Sequence, residues 1–279
     1  MKPMLTVITA AIIAAASVQA AIRPRQPLAG HDAPTATKDR TVPLCNSIMS
    51  VMIYGGTDTD SISIACPTQC GATVTCKQGP TKLAMLCIAD RNSGPVSAYS
   101  RRMAHDSALC TDVYTRDSVT ITRQCFVSRP DRLLAIRLKS SVPGALNCTL
   151  SLSSPTSARV KGSNGNQLTL TGHTTANDGS SLRFCSILKT VTDGGSTTAS
   201  PNGIDISHAT EVVIYVVCAT DRDKSSDPYA TEASQYIERA ADYAWHTVNY
   251  SFDEFLNRHV AYILSHAAAR NGAGSCRRP

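Results

Sequence analysis

From Thr41 to Thr220 the apolar positions come in short runs rich in valine, isoleucine, leucine and threonine, separated by clusters of Gly, Asn, Asp, Ser and Pro. That is the punctuation of β-strands and tight turns. Ser47 to Tyr54 runs into Gly55-Gly56, and Ile62-Ser63-Ile64 alternates. The clearest unit lies between Leu109 and Lys139. Cys110 to Thr115 and Val119 to Val127 alternate on either side of Arg116-Asp117-Ser118, and Arg132 to Leu138 supplies a third strand after Arg129-Pro130-Asp131. The three predict an antiparallel meander. Further strands are expected at Ala145 to Leu152, Gln167 to Thr171, Ser181 to Val191, Gly203 to Ile206 and Thr210 to Ala219, with turns at 163–166 and 193–195. Strands at this spacing without intervening helices predict an antiparallel β-sandwich and argue against an α/β sheet.

The period then changes. Asp227-Pro228 reads as an N-cap with proline at the first helical position, and Ala230, Ala233, Ile237, Ala240, Ala241, Ala244 and Val248 recur at helical spacing. Ser251-x-x-Glu254 reads as a capping box opening a second helix, with Phe252, Phe255, Leu256, Val260, Ile263 and Leu264 as its apolar face. A mainly β domain over residues 41–225 is thus expected to lead into a helical segment over residues 226–279.

The hairpin register has a chemical consequence. If Asp117 and Ser118 are the two turn residues, 116 pairs with 119 and, counting outward, Cys110 faces Cys125. Their Cα atoms would then lie about 5.5 Å apart, which a disulfide can bridge. Two ordinary buried thiols fit the same register.

The N-terminus fixes the compartment in which such a bridge would form. Residues 1–20 carry one early lysine, Lys2, an uncharged apolar stretch from Leu5 to Ala16, and small residues at Val18 and Ala20. This is the pattern of a secretory leader cleaved after Ala20, and its apolar core is well short of the roughly 20 residues that span a bilayer. A secreted, extracellular protein is expected, with an irregular lead-in over residues 21–40 and no membrane span. The 11 cysteines of the chain fit an oxidising compartment, but their odd number leaves at least one thiol free or paired between chains. Asn147-Cys148-Thr149 and Asn249-Tyr250-Ser251 are sequons for N-glycosylation on that route. The formal charge of +6 is scattered and aromatic residues make up only 5% of the chain, so no nucleic-acid-binding stripe is present.

Candidate catalytic chemistry is sparse. The spacings among Cys66, Cys70, Cys76 and Cys87 lack the close pairs of a zinc site, and neither a metal nor another cofactor is expected. There is no G-x-S-x-G and no HExxH. Asp205-Ile206-Ser207-His208 holds the letters of a triad, but neighbouring strand residues point to opposite faces. Among the carboxylates considered for glycoside chemistry, Asp117, Asp131, Asp193, Asp253 and Glu254 sit at turns or caps, where a backbone role explains them, and Asp205 stands alone. No catalytic residue is assigned.

Several stretches, taken in order, resemble the N-terminal domain of glycoside hydrolase family 95, the α-L-fucosidase family. They are PLCNSIMSVMIYGG at 43–56, GPVSAYSRR at 94–102, DVYTRDSVTITRQCFVSRPDRLLAIRL at 112–138, LSLSSP at 150–155, LTG at 170–172, LRFCSILKTVTDGG at 182–195 and LNRHVA at 256–261. The resemblance implies a β-supersandwich, a helical linker and an (α/α)6 barrel that carries the catalytic groups of an inverting hydrolase, with fucosylated or other glycans as partners. It also implies that the barrel lies outside this chain, which departs from the family pattern after Ala261, as a truncated linker would. A second departure follows the Gly55-Gly56 turn, where Ala65-Cys-Pro-Thr-Gln-Cys70 stands in place of the family's N-E-D-T-L-W. Two other readings remain open: a carbohydrate-binding module, and a secreted cysteine-rich interaction protein.

Overall fold

The computed structural model describes residues 41–46, 48–66, 80–176, 179–222 and 235–274, with side chains as far as His266. Among these, the strands are β1 (Val42–Cys45), β2 (Ser50–Ile53), β3 (Thr59–Cys66), β4 (Thr81–Asp90), β5 (Val96–Ala104), β6 (Leu109–Arg116), β7 (Val119–Ser128), β8 (Leu133–Ser140), β9 (Leu146–Ser153), β10 (Ala158–Ser163), β11 (Gln167–Thr175), β12 (Ser181–Asp193), β13 (Ser196–Ser200), β14 (Gly203–Ala209) and β15 (Glu211–Thr220). Two helices follow, α1 (Tyr236–His246) and α2 (Phe252–Gly274).

The strands form two antiparallel sheets. One has the order β1-β2-β3-β4-β9-β14-β13 and the other β10-β11-β12-β15-β8-β7-β6-β5. The expected sandwich is therefore present, and the chain passes repeatedly from one sheet to the other. The hairpin joining β6 and β7 turns at Asp117 and Ser118, both in the left-handed region at φ 45° and 66°. This is the turn whose twist suits a two-residue hairpin. The counted register holds, from Arg116↔Val119 to Cys110↔Cys125.

Five strands were not expected: β1, β4, β5, β10 and β13. The run anticipated over Ser47 to Tyr54 shortens to β2 because Asn46 ends the preceding strand. Its carboxamide oxygen accepts hydrogen bonds from the Ile48 and Met49 amides at 2.8 and 2.7 Å, while its Nδ2 donates to the Ser128 carbonyl.

The core has two layers. Between the sheets lie the inward residues of alternating strands, such as Leu146, Cys148, Leu150 and Leu152 of β9. The second layer lies between the outer face of the eight-stranded sheet and the helices, and contains Phe126, Val213, Tyr215, Val217, Ala240, Tyr243, Phe252 and Phe255. β15 serves both layers, which explains its nearly unbroken apolar run EVVIYVVCAT. A strand covered on both faces has no use for alternation.

Both helices differ from expectation in detail. The Asp227-Pro228 start and the 225/226 boundary lie outside the described residues. Helix α1 buries Arg239, Ala240, Tyr243 and Ala244 and leaves Ile237 facing outward, while Val248 falls beyond its end and is also exposed. An alanine-rich helix marks its face weakly, and here the small side chains let the helix lie close to β12 and β15 while Tyr243 and the stem of Arg239 fill the gap. The capping box of α2 is formed: the Ser251 amide donates to Glu254 Oε2 at 2.7 Å, and the Glu254 amide donates to Ser251 Oγ at 3.3 Å. Phe252 and Phe255 are buried as expected, and His259 joins them. The rings of Phe252 and His259 lie 5.2 and 5.1 Å from that of Phe126. Arg137 stacks over Phe252 at 4.3 Å and pairs with Asp253, while Arg258 pairs with Asp131.

Burial holds His259 below its usual pKa of 6.5, against the opposing influence of the Ser107 backbone and the Asp131 carboxylate. The folded state thus favours the neutral ring. Stability from this group is complete above the unfolded value and is lost as pH falls below it, until the lowered folded pKa is reached. Urea midpoints taken between pH 7.5 and 5 should fall more steeply for the native protein than for His259→Leu. Equal slopes would show that α2 docking does not respond to this ring.

Candidate functional site

The densest polar constellation is sealed inside the sandwich. The meander β5-β6-β7 places Arg101 opposite Asp112 and Asp112 opposite Arg123, all on the inner face. Arg101 grips Asp112 with two bonds, Nε to Oδ1 at 2.6 Å and Nη2 to Oδ2 at 2.8 Å. Arg123 donates from Nε to Asp112 Oδ2 at 3.0 Å and reaches across the sandwich, Nη1 lying 3.0 Å from Oδ2 of Asp60 on β3. Each of the four is at most 5% exposed. Two cations and two anions balance, which is the condition for burying them at all.

The turn from β2 to β3 closes over this row. The Gly55 amide donates to Asp60 Oδ1 at 2.6 Å, and the Gly56 carbonyl accepts from Arg123 Nη1 at 3.1 Å. Gly55 has φ +83°, and a Cβ there would lie 1.9 Å from Arg101 Nη2. Only glycine meets both demands. At the neighbouring end of the sheet Arg116 gathers Asp58, Asp90 and the Gly94 carbonyl.

Burial pushes the Asp112 carboxyl up, but the charges of Arg123 and Arg101 and their hydrogen bonds outweigh it and hold the pKa below its usual 3.8. For Asp60 burial prevails over Arg123 and the Gly55 amide, and the pKa rises. Two neighbouring carboxylates with opposite shifts resemble an acid–base pair. Access decides against that role. Both carboxylates are 1% exposed, and the enclosed void beside Arg123, Asp90, Tyr114 and Asn147 is about 20 Å³, room for a single water. No sugar ring reaches them, so the cluster braces the two sheets and the Gly55-Gly56 turn.

The residues singled out in the sequence are dispersed. Cys110 and Cys125 face each other on the row next to Asp112 and Arg123, each 1% exposed and present as a thiol. Burial pushes Cys110 up to about 12 and Cys125 well above its usual value. Asn147 lies on β9 and Asn249 in the connection between the helices. Asp205 accepts a hydrogen bond from Thr149, and Ser207 accepts one from Arg91, so the Asp-Ile-Ser-His run forms no relay. Asp131, Asp253 and Glu254 serve Arg258, Arg137 and the α2 cap. Cys66 and Cys87 are half-buried, and Cys70 and Cys76 lie outside the described residues. No group of three or more metal-ligating side chains occurs among the described residues, nor is any described helix long and apolar enough to cross a membrane.

Sequence reasoning missed the Arg101-Asp112-Arg123-Asp60 row, although part of it was within reach. The hairpin register that pairs Cys110 with Cys125 also pairs Asp112 with Arg123 on the same face. Two open grooves on the outer side of the eight-stranded sheet were not foreseen either. One, about 650 Å³, includes Arg159, His173, Arg183 and Tyr236; the other, about 620 Å³, includes Lys189, Val191, Tyr215, Val248, Asn249 and Tyr250.

Removing one member of the buried row leaves its partners uncompensated. Asp112→Asn should cost about 3–5 kcal/mol of stability, the scale for breaking a buried ion pair. Chemical denaturation measures it, and a loss below about 1 kcal/mol would show that the row does not brace the sheets. Because the folded pKa of Asp112 is lowered, its contribution is present above pH 3.8 and disappears as pH falls through the folded value.

Among solved structures the chain is similar to a protein provisionally assigned as a kojibiose phosphorylase from human microbiome, with a TM-score of 0.50 and 14% identity over 79% of this chain and 35% of that one. It also matches the family GH92 α-mannosidase BT3965 from Bacteroides thetaiotaomicron, with a TM-score of 0.33 and 8% identity over 76% of this chain and 32% of that one. The first likeness concerns the fold alone, and the chain spans about a third of the length of either structure. No curated protein matches. The model of the glycosyl hydrolase family 65 N-terminal domain matches residues 65–225, from the end of β3 to just beyond β15. The chain belongs to that family of glycoside hydrolase N-terminal β-sandwich domains.

Proposed function

We propose that this chain is the secreted N-terminal β-sandwich of an α-L-fucosidase-like enzyme of glycoside hydrolase family 95, and that it does not cleave glycosidic bonds by itself. The observation that carries the second half is the commitment of the carboxylates: Asp60, Asp112 and Asp90 are tied to Arg123, Arg101 and Arg116 around a void of about 20 Å³, while Glu211 and Asp253, in the open groove that also holds Asp193, are paired with Lys139 and Arg137. Hydrolysis by paired carboxylates needs an open cleft between them. The family-95 reading is supported by the roles of the segments that resemble that family. PLCNSIMSVMIYGG supplies β1, β2 and the turn that Arg101 requires to be glycine, the 112–138 segment is the meander carrying the ion row, and LNRHVA brings His259 against Phe126. These are scaffold positions, as expected of a domain that supports chemistry performed elsewhere.

Incubated with fucosylated oligosaccharides or an aryl α-L-fucoside, the purified protein should release no fucose. Turnover that survives further purification would overturn the proposal. Retention on a glycan array without turnover would move the reading to a carbohydrate-binding module.

Export leads to a further expectation. In an oxidising compartment Cys110 and Cys125 should be joined, since their register brings the two strands within bridging distance. A non-reducing peptide map of secreted protein should contain the 110–125 link. Two free thiols at these positions in exported material would exclude it.

A further inference from the structure

We infer that, on the secretory route, Asn249 carries an N-linked glycan while Asn147 stays unmodified, although both lie in complete sequons. The inference rests on the export reading given above. Its observation is the contrast between the two carboxamides.

Asn147 is committed on both sides. Its Nδ2 donates to Asn92 Oδ1 at 3.0 Å, and its Oδ1 accepts the His208 amide at 3.0 Å, where β14 departs from register with β9 and His208 takes φ 56°. Asn147 is half-buried, between the inward residues Leu146 and Cys148 of β9. A sugar on Nδ2 would cost the donation to Asn92 and crowd the carboxamide that holds the His208 amide.

Asn249 has the opposite setting. It is exposed in the connection between α1 and α2, its backbone amide closes a turn onto the His246 carbonyl, and its side-chain amide has no partner among the described residues. It opens onto the groove of about 620 Å³ that also includes Val191, Val248 and Tyr250. Its neighbours Val248 and Tyr250 in the same groove are 50% and 38% exposed, and Trp245 in the last turn of α1 is 68% exposed. A glycan here breaks no side-chain hydrogen bond among the described residues and lies over exposed apolar side chains, which favours solubility.

The transfer itself is ordinary group transfer. Asn249 Nδ2 forms a bond to the anomeric carbon of an oligosaccharide carried on a polyisoprenyl diphosphate, the bond from that carbon to the diphosphate oxygen breaks, and the amide gives up one proton. Because transfer precedes folding, both sequons meet the transferase. Folding then selects, since a chain modified at Asn147 folds at the cost of the carboxamide's bonds to Asn92 and His208.

The test is expression of the full chain with its own leader in a eukaryotic secretory host, followed by enzymatic release of N-glycans in ¹⁸O-water and peptide mapping of the soluble protein in the medium. The expected result is ¹⁸O-labelled aspartate at position 249 and unlabelled asparagine at 147. Label at 147 in soluble folded protein, or none at 249, overturns the inference. Material held inside the cell with residues 1–20 attached would instead count against export, and repeating the map behind a host leader then reads the two sequons independently. Asn249→Gln, chosen because Ser251 also caps α2, should leave the melting temperature unchanged and lower the yield of monomer in the medium. Asn147→Gln should lower the melting temperature and leave glycan occupancy unchanged.

Discussion

The row Arg101-Asp112-Arg123-Asp60 is the constraint to which much of the remaining structure answers. Four ionised side chains out of water are tolerable only while every charge has its partner, and here the partners come from four strands in two sheets. The stagger of β5, β6 and β7, the placing of β3 across the gap, and the glycine at position 55 must therefore all be correct at once. A one-residue slip of β6 would turn Asp112 to the opposite face and leave two buried guanidinium groups with one carboxylate. An apolar core would be more forgiving. This one exchanges tolerance for a single permitted register, and the φ of +83° at Gly55 shows how far the turn adapts to the arginine beneath it.

The helices solve a different problem. The eight-stranded sheet is apolar on both faces along β15, and without α1 and α2 the outer layer of Val213, Tyr215, Val217 and Phe126 would meet water. Alanines 240 and 244 bring α1 close to the sheet, whereas α2 uses large rings that interlock with Phe126 and Tyr215. Buried His259, whose neutral ring burial favours, belongs to the second contact.

How much of this could be read in the chain depends on the range of the interaction. The β6-β7 hairpin was legible because Asp117-Ser118 fixes its count locally, and the α2 cap because Ser251 and Glu254 lie three residues apart. Strand β5 escaped because VSAYSRRMA places Arg101 where an apolar face is sought, yet that inward arginine is a member of the ion row. Asp60 could not have been assigned from sequence, since its partner Arg123 belongs to the other sheet and lies 63 residues away. The face of α1 was misread because alanines at 240, 241 and 244 carry no directional information, and burial was decided by Tyr243 and Arg239. His259 was passed over for a related reason: an imidazole in an apolar stripe reads as polar until a ring such as Phe126 is found against it.

Membership in a glycoside hydrolase family bears on this chain through surfaces more than through its interior. The inner face of the sandwich is filled and its carboxylates are neutralised, so recognition of a sugar or of another domain has to occur at edges and outer faces. On the eight-stranded sheet the helices already cover the centre. Among the described residues, two accessible recesses are the grooves where helical residues meet the sheet, one carrying Arg159, His173, Arg183 and Tyr236, the other carrying Tyr250 and the Asn249 sequon. A glycan at Asn249 would occupy the second and leave the first open. The ion row then acts on function only indirectly, by holding rigid the sheet on which those grooves are formed.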